Sequence, residues 1–465
     1  ELSVAAKKYG MHFGFYYSHA FDWEHPDAPG NDWEYKNPGG DLNLYGGRDW
    51  YDLHPDLLTK AKKYVDEKAI PQITELLVKY HPDILWFDTP QKLPLSENIR
   101  ILKAIRAIDS NVVVNGRLVR FANSNFGDYK NTADRPAEFF PVTGDWEAIP
   151  TTNESYGYHK FDSSHKPVSH FIHLLATAAS RGGNLLMNIG PKGDGSFDAK
   201  DLSILKGIGS WLNKNGESIY GTAASPLPYH SWGVSTIKNG KIYLHVFDWP
   251  KNNILYVSGH TQLANGYLLE RPSAKIEIKQ TPTGDLMLLL PKQRHDSIDA
   301  VLVFDWRGQS FPDSIHFVTP NTRMERFLAF DARQNGKGFN YGDGKTDRYY
   351  VEGWKSKDQY LDWKFRAATS DPQKFRIIIK YLAPEETAGG VFELILDQDY
   401  SSSSKQVIRI EEAVTTNAGN TTVVTKELGV VSISHDGYTL KIKPVSIKKT
   451  ELMKLLEIQF IPIDK

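Results

Sequence analysis

The segment His81–Pro90 constrains the fold of this chain more than any other stretch. Its apolar run, Ile84–Phe87, is too short for a helix and ends at a carboxylate, Asp88. A long segment with apolar residues at helical intervals precedes it, and Pro90 favours a turn directly after it. Helix, buried strand and then an aspartate at the strand's carboxyl end is the order in which α/β barrels present their chemistry. An equally weighted alternative is that Asp88 only caps the next helix.

The first half of the chain alternates short apolar runs with amphipathic segments. We predict strands near residues 11–18, 84–88, 112–117, 144–149 and 183–191, and helices over about 56–80, 95–109, 166–180 and 199–214. This alternation predicts an α/β fold with a mostly parallel sheet, a (β/α)8-like TIM barrel over residues 1–222. These strands number about five, whereas a closed barrel needs about eight. We therefore expect the barrel to be incomplete at its N-terminal side.

The pattern changes from about residue 228. Short alternating runs such as Lys241–Phe247 and Ala300–Phe304 follow one another, with turns between them. This spacing predicts an antiparallel β-sandwich over residues 228–310. A further β-rich block, residues 320–465, predicts a second antiparallel β-sandwich, which is a candidate carbohydrate-binding module.

Composition excludes several functional classes. The 55 Lys and Arg residues balance 56 Asp and Glu residues, and no basic cluster stands out, so nucleic acid is a poor candidate partner. No apolar run reaches about 18 residues, so no membrane span is predicted. The chain has no cysteine, which removes disulfides, cysteine-ligated zinc and thiol nucleophiles. No Gly-x-Ser-x-Gly or His-Glu-x-x-His motif occurs, and we predict no metal site and no cofactor.

Three carboxylates are the first candidates for chemistry: Asp88, Glu147 and Glu138. A retaining glycosidase needs two carboxyl groups about 5–5.5 Å apart, one to attack the anomeric carbon and one to protonate the departing oxygen. On a barrel the two groups come from different strand ends, so a separation of many residues is expected. In a chain with 56 acidic residues, such a pair alone is weak evidence.

The residues around Asp88 are more specific. Trp86 lies two positions earlier, so both side chains share one face of the strand, where an indole suits a sugar ring. Arg117 ends the next predicted strand and would hold hydroxyl groups or balance charge. The alternative for Trp86 is that it packs in the core, and the alternative for Arg117 is that it forms a structural ion pair. Tyr16 and Tyr17 face opposite sides of their strand, so one should reach the site and the other should pack.

Eight short blocks resemble, in order, the hallmarks of glycoside hydrolase family 29, whose members are retaining α-L-fucosidases. They are Phe13–Ser18 with Asp22-Trp23, Trp86–Asp88, Asn115–Arg117, Gly127–Tyr129, Trp146-Glu147, Ser155–Tyr158, Gly183–Pro191 and Asn215–Tyr220. The resemblance implies that Asp88 is the nucleophile and that Trp86, Arg117 and Tyr16 line the fucose site.

The resemblance leaves the acid/base residue open, because branches of the family place it differently. In one branch it is the glutamate of a Trp-Glu pair, here Glu147. In another it is an acid shortly after the Gly-Asp-Tyr block, where this chain has Asp134 or Glu138. We favour Glu147, with Glu138 as the second candidate.

The sequence departs from the family pattern at three points. Thr89 stands where the family usually has glycine, and Tyr156 where it usually has tryptophan. The paired histidines that hold the fucose hydroxyls in the family would lie before Glu1. We therefore expect something on the order of a hundred barrel residues to precede the chain.

The resemblance implies a retaining exo-α-L-fucosidase that releases terminal α-L-fucosyl residues from fucosylated oligosaccharides or glycoconjugates through a covalent glycosyl-enzyme. It also implies a secreted protein, periplasmic or extracellular. We expect the charge of Asp88 to raise the pKa of the acid and the pH profile to be bell-shaped. The alternatives are a non-catalytic glycan-binding protein on a degenerate hydrolase scaffold, and a related retaining glycosidase acting on galactose.

Overall fold

The computed structural model describes residues 1–29, 51, 55–121, 124–227, 229–258, 262–282, 284–292, 294, 296–307, 316–319, 323–368, 371–398, 407–419, 421–434 and 437–463. It divides the chain into two compact units. Unit 1 comprises Glu1–Asn131 and Thr143–Glu147, and unit 2 comprises Thr132–Val142 and Ala148–Lys465.

Unit 1 is built on a parallel three-stranded sheet in the order β1-β2-β3, with helices between its strands. The strands are β1 (Gly14–Tyr17), β2 (Ile84–Phe87) and β3 (Val113–Val114), followed by the hairpin of β4 (Arg120–Phe121) and β5 (Ser124–Asn125). The helices are α1 (Leu2–Lys8), α2 (Pro55–Tyr64), α3 (Ile70–Tyr80) and α4 (Leu95–Ile108), and a π-helical turn, Val65–Ala69, joins α2 to α3.

Alternation along β2 separates the core from the site. Leu85 and Phe87 are fully buried, in the same core as Ile73 of α3 and Ile101 of α4. Burying side chains of this size contributes roughly 1.5–3 kcal/mol each, which fixes the face that the strand turns inward. Trp86 and the residue after the strand, Asp88, consequently point to the other face.

Residues of the blocks Asn115–Arg117 and Gly127–Tyr129 stabilise the sheet next to β3. The buried amide of Asn115 receives a hydrogen bond from Phe87 N at 2.8 Å and donates to Phe87 O at 2.9 Å. A Cβ on Gly127 would lie 2.5 Å from Asn115 O, so this close approach requires glycine. Asp128 accepts from Val114 N at 2.7 Å and from Arg106. These residues position the strand end that carries Asp88.

A further short sheet and two helices follow along the chain. Strands β6 (Lys130–Asp134), β7 (Trp146–Ile149) and β8 (Asn184–Leu185) form a short sheet, and the helices are α5 (Val168–Ser180) and α6 (Ala199–Asn215). One core contains Ile172 of α5 and Trp211 of α6 together with Tyr243, Val301 and Val303.

Eight strands follow these helices. They are β9 (Gly233–Lys238), β10 (Lys241–Val246), β11 (Ile254–Val257), β12 (Leu263–Leu268), β13 (Arg271–Lys275), β14 (Glu277–Gln280), β15 (Leu286–Leu289) and β16 (Ala300–Trp306). They form sheets in the orders β13-β12-β16-β10-β9 and β11-β15-β14, which share one apolar core.

The last part of unit 2 consists of two six-stranded sheets with a common core. Its strands are β17 (His316–Val318), β18 (Glu325–Leu328), β19 (Arg333–Asn335), β20 (Asn340–Tyr341), β21 (Val351–Glu352), β22 (Tyr360–Ala367), β23 (Gln373–Leu382), β24 (Gly390–Gln398), β25 (Val407–Ala413), β26 (Val424–Ile433), β27 (Gly437–Ile447) and β28 (Lys454–Pro462). One sheet runs β17-β22-β27-β24-β25 with β19 beside β22, and the other runs β20-β21-β28-β23-β26 with β18 beside β28.

The structure confirms the predicted combination of α/β and β-rich regions but not the predicted barrel. Parallel strands with helical crossovers are present, and sheets dominate the second half. The residues that the structure describes do not form the expected closed (β/α)8-like barrel. Strands β1-β2-β3 and β6-β7-β8 make two separate three-stranded sheets, whereas closure needs about eight strands. The predicted β-sandwiches and the domain boundaries near 222–228 and 310–320 stay predictions.

Candidate active site

Asp88 lies directly after β2 and accepts three hydrogen bonds. Arg117 Nη1 donates to Oδ1 at 3.0 Å, and the backbone N–H of Thr89 donates to the same oxygen at 2.9 Å. The hydroxyl of Tyr16 donates to Oδ2 at 3.3 Å. Because the guanidinium bond is charge-assisted, it fixes the orientation of the carboxylate more firmly than a neutral donor would.

The backbone after Asp88 is strained. Thr89 has φ +53°, in the left-handed region that a β-branched residue rarely adopts. Glycine would occupy this conformation without steric cost, which gives a physical reason for the family's preference at this position. Strain of this kind is common beside functional groups, and here it accompanies the N–H that points at Asp88.

The indole of Trp86 contacts Tyr16 and Arg117, the two side chains that bind Asp88. Its ring stacks on Tyr16 with centroids 5.5 Å apart and an interplanar angle of 23°. The guanidinium carbon of Arg117 lies 5.2 Å from the indole centroid, within cation–π range. Tyr16 is 62% exposed, so this aromatic surface is accessible to a ligand.

Glu147 approaches the same indole through its side-chain carboxyl. Trp86 Nε1 donates to Oε1 at 2.9 Å, and Asn131 Nδ2 donates to the same oxygen at 3.0 Å. Burial raises the pKa of Glu147, and the hydrogen bond from Trp86 and the charge of Arg117 oppose this rise. Burial, rather than the expected charge of Asp88, is thus the largest cause.

The two tyrosines of β1 separate as the alternation predicts. Tyr16 reaches Asp88, and burial together with the Asp88 charge raises its pKa. Tyr17 points the other way, donates to Gln72 Oε1 at 2.7 Å and lies edge-on to Phe87 at 6.3 Å.

The structure therefore brings together five of the predicted site residues: Asp88, Glu147, Trp86, Arg117 and Tyr16. The sixth, Glu138, belongs to unit 2, where its Oε1 lies 2.7 Å from Arg326 Nη1. Burial raises the pKa of Glu138, and the charge of Arg326 opposes that rise. Glu138 is accordingly an ion-pair partner in the structure.

Sequence reasoning missed two contributors to the site. Asn131, which holds Glu147, follows Tyr129 by two positions, so the alternation of a strand could have linked it to the Gly-Asp-Tyr block. The N–H of Thr89 had no sequence signal beyond the unusual residue type. Among the described residues, no group of three or more His, Cys, Asp or Glu is arranged to hold a metal ion. Nor is any described helix long and apolar enough to cross a membrane.

The chain is similar to known α-L-fucosidases in sequence and in fold. Residues 1–217 match the family model described as Alpha-L-fucosidase. An α-L-fucosidase of Dictyostelium discoideum is 26% identical over 268 residues, which cover 56% of this chain and 53% of that protein. The chain thus spans about half the length of this curated relative.

Two solved structures share the fold. The α-L-fucosidase of Vibrio sp. strain EJY3 superposes with a TM-score of 0.69 at 22% identity, covering 99% of this chain and 78% of that one. A family 29 α-L-fucosidase of Bacteroides thetaiotaomicron, trapped as a covalent intermediate with 2-fluoro-fucosyl fluoride, gives 0.54 at 24% identity, covering 66% and 70%. Residues 1–217, somewhat less than half of the chain, are thus similar to α-L-fucosidases, and the solved structures show that the fold is shared.

Proposed function

We propose that the chain acts as a retaining exo-α-L-fucosidase, with Asp88 as nucleophile and Glu147 as acid/base. The observation that carries this proposal is the contrast between two carboxyl groups around one indole. Asp88 accepts from a guanidinium, whereas Glu147 accepts from the neutral donors Trp86 and Asn131 and has a raised pKa. Carboxyl groups with such different surroundings are the usual sign of divided roles.

In the first step Asp88 attacks C1 of the fucosyl unit, and Glu147 gives its proton to the departing glycosidic oxygen. The raised pKa of Glu147 keeps more of this residue protonated at a given pH than an exposed glutamate would be. The products are a fucosyl ester on Asp88 and the free leaving alcohol.

In the second step Glu147, now ionised, takes a proton from water while the water oxygen attacks C1. The ester bond to Asp88 breaks, and fucose leaves with its original anomeric configuration. The covalent intermediate trapped in the Bacteroides thetaiotaomicron relative supports a two-step route.

The aromatic surface supports fucose as the sugar. Tyr16 and Trp86 offer a flat wall for the apolar face of a sugar that carries a methyl group, and Arg117 offers donors to its hydroxyls. The match of residues 1–217 to the Alpha-L-fucosidase family model supports terminal α-L-fucosyl glycans as substrates. We further propose that the parallel sheet β1-β2-β3 is part of a (β/α)8-like barrel and that the sheets of unit 2 pair as two sandwiches.

Replacement of the nucleophile tests the proposal. Asp88→Ala should fold and lose nearly all turnover of an aryl α-L-fucoside, because no ester can form. Sodium azide should restore part of the rate, and NMR should identify a fucosyl azide with inverted configuration. Asp83→Asn is the matched control, because Asp83 lies at the other end of the same strand, near His12 and bonded to Phe13 N.

Three results would contradict the proposal. An Asp88→Ala protein with undiminished turnover would remove Asp88 from the mechanism. Faster hydrolysis of an aryl galactoside than of the fucoside would favour a galactose-specific relative. Fucoglycan binding measured by calorimetry, with no fucose released by the unaltered chain, would favour a glycan-binding protein.

A further inference from the structure

A cavity lies in unit 2, far along the chain from the residues of the candidate active site. Its volume is about 640 Å³, and its walls come from residues 340–355, 382–387, 421 and 450–454. Small-molecule sites usually occupy about 300–1,000 Å³, so this cleft has the size of a ligand site.

The lining of this cleft is polar and balanced in charge. Of its fifteen residues, only Gly353, Leu382 and Pro384 lack a polar side chain. Three basic and three acidic residues line it: Arg348, Lys355 and Lys454, and Asp347, Glu352 and Glu451. A lipid or an apolar peptide has little surface to bind here. An equal number of opposite charges gives no net attraction for a polyanion or a polycation.

The charged groups in the cleft are held in place. Glu451 is 9% exposed and accepts a hydrogen bond from Gly353 N at 3.0 Å. Lys454 Nζ lies 2.5 Å from Glu352 Oε2 and 5.1 Å from the centroid of the Tyr350 ring. Fixed donors and acceptors beside an aromatic ring lose little entropy when a ligand binds.

A backbone contact fixes the cleft wall at Gly353. This residue has φ +91°, and a Cβ on it would lie 2.1 Å from Gly338 O. Only glycine permits this approach, which directs the Gly353 N–H to Glu451. The backbone thus holds Glu451 Oε2, and Lys454 Nζ lies 4.0 Å from Glu451 Oε1.

We propose that this cleft binds a neutral saccharide. Vicinal hydroxyl groups can donate to Glu352 and Glu451 and accept from Lys454, while an apolar sugar face lies against Tyr350. The four threonines of the lining add further hydroxyl donors and acceptors. The site would hold a glycan independently of hydrolysis in unit 1.

The test uses the full chain on an array of neutral, sialylated and sulfated oligosaccharides, followed by calorimetry with the neutral glycan retained most strongly. Tyr350→Ala should weaken binding by about tenfold or more, because the stacking surface is lost. Tyr360→Ala is the matched control: Tyr360 also lies under a lysine, Lys441 at 4.6 Å, but outside the cleft. Turnover of an aryl fucoside should stay unchanged in both variants.

Glu352→Gln provides a second variant of nearly the same shape, and it should also weaken binding if the carboxylate accepts sugar hydroxyls. Retention of sialylated or sulfated glycans alone would overturn the proposal, as would binding that ignores Tyr350→Ala and Glu352→Gln. Failure to retain any glycan would overturn it too. None of these results bears on hydrolysis, so this proposal and the enzymatic one fail separately.

Discussion

Glu147 and Glu138 are the same residue type, and burial raises the pKa of both. Their neighbours differ. Glu147 accepts from an indole and an amide, neither of which carries charge, so its proton can leave and return. Glu138 lies 2.7 Å from the guanidinium of Arg326, which also binds the buried Glu457. The comparison teaches that a neutral hydrogen-bond partner leaves a buried glutamate free for proton transfer, whereas a fixed cation makes it structural.

Among the changes that test this comparison, removal of the Glu147 proton has the largest expected effect. Glu147→Gln should lower kcat/KM for an aryl fucoside with a poor leaving group by about 10²–10⁴-fold. The loss should be much smaller for a dinitrophenyl leaving group, which departs without protonation. Glu138→Gln is the control, and an equal loss of turnover in both variants would erase the distinction between the two glutamates.

Removing the Glu138 charge should affect folding instead. Glu138→Gln leaves Arg326 with Glu457 as its remaining close carboxylate, so we expect a loss of about 2–3 kcal/mol in the free energy of unfolding. Denaturant titration would measure it. The Glu147→Gln protein should lose far less, and a Glu138→Gln protein as stable as the parent would show that the ion pair contributes nothing.

The pH profile offers a smaller, directional test. The amide of Asn131 stabilises the ionised form of Glu147, so Asn131→Ala should raise the pKa of Glu147 further. The alkaline limb of kcat/KM should then move to higher pH by up to about one unit. Asn111→Ala, at an exposed amide, should leave the limb in place. A shift to lower pH would contradict the assignment of Glu147 as the acid.

The smallest expected effect concerns the backbone strain at Thr89, beside Asp88. A non-glycine residue in the left-handed region costs about 1–2 kcal/mol. Glycine removes this cost but gives the unfolded chain more conformational entropy, which lowers stability by roughly 0.4–1 kcal/mol. Thr89→Gly should therefore stabilise the protein by about 0.5–1 kcal/mol while keeping the N–H that binds Asp88. Thermal unfolding would measure the gain, and a destabilised variant would show that the Thr89 side chain contributes more than its strain costs.

Local patterns predicted what depends on local residues. The β2 strand, the helices around it and the opposite facing of Tyr16 and Tyr17 follow from periodicities that a few neighbours determine. The structure also brings Asp88, Trp86 and Arg117 together, as strand ends of one parallel sheet should. Their catalytic roles stay predictions.

Contacts between residues far apart in the sequence could not be predicted from local patterns. Glu138 and Arg326 are 188 positions apart, and no pattern near Glu138 distinguishes an ion-pair partner from an acid/base. The same holds for the core that joins Ile172 and Trp211 to Val301 and Val303. The left-handed conformation of Thr89 was signalled only by the glycine that the family usually has there, because threonine itself disfavours this conformation.

The position of Trp86 has an energetic consequence for the whole site. Tyr16 and Arg117 rest on its indole and bind Asp88, while its N–H binds Glu147. The positions of the Asp88 and Glu147 carboxyl groups are therefore coupled through the indole of Trp86. Free-energy effects of changes at Tyr16 and Asn131 should be non-additive in the presence of Trp86 and additive once the indole is removed.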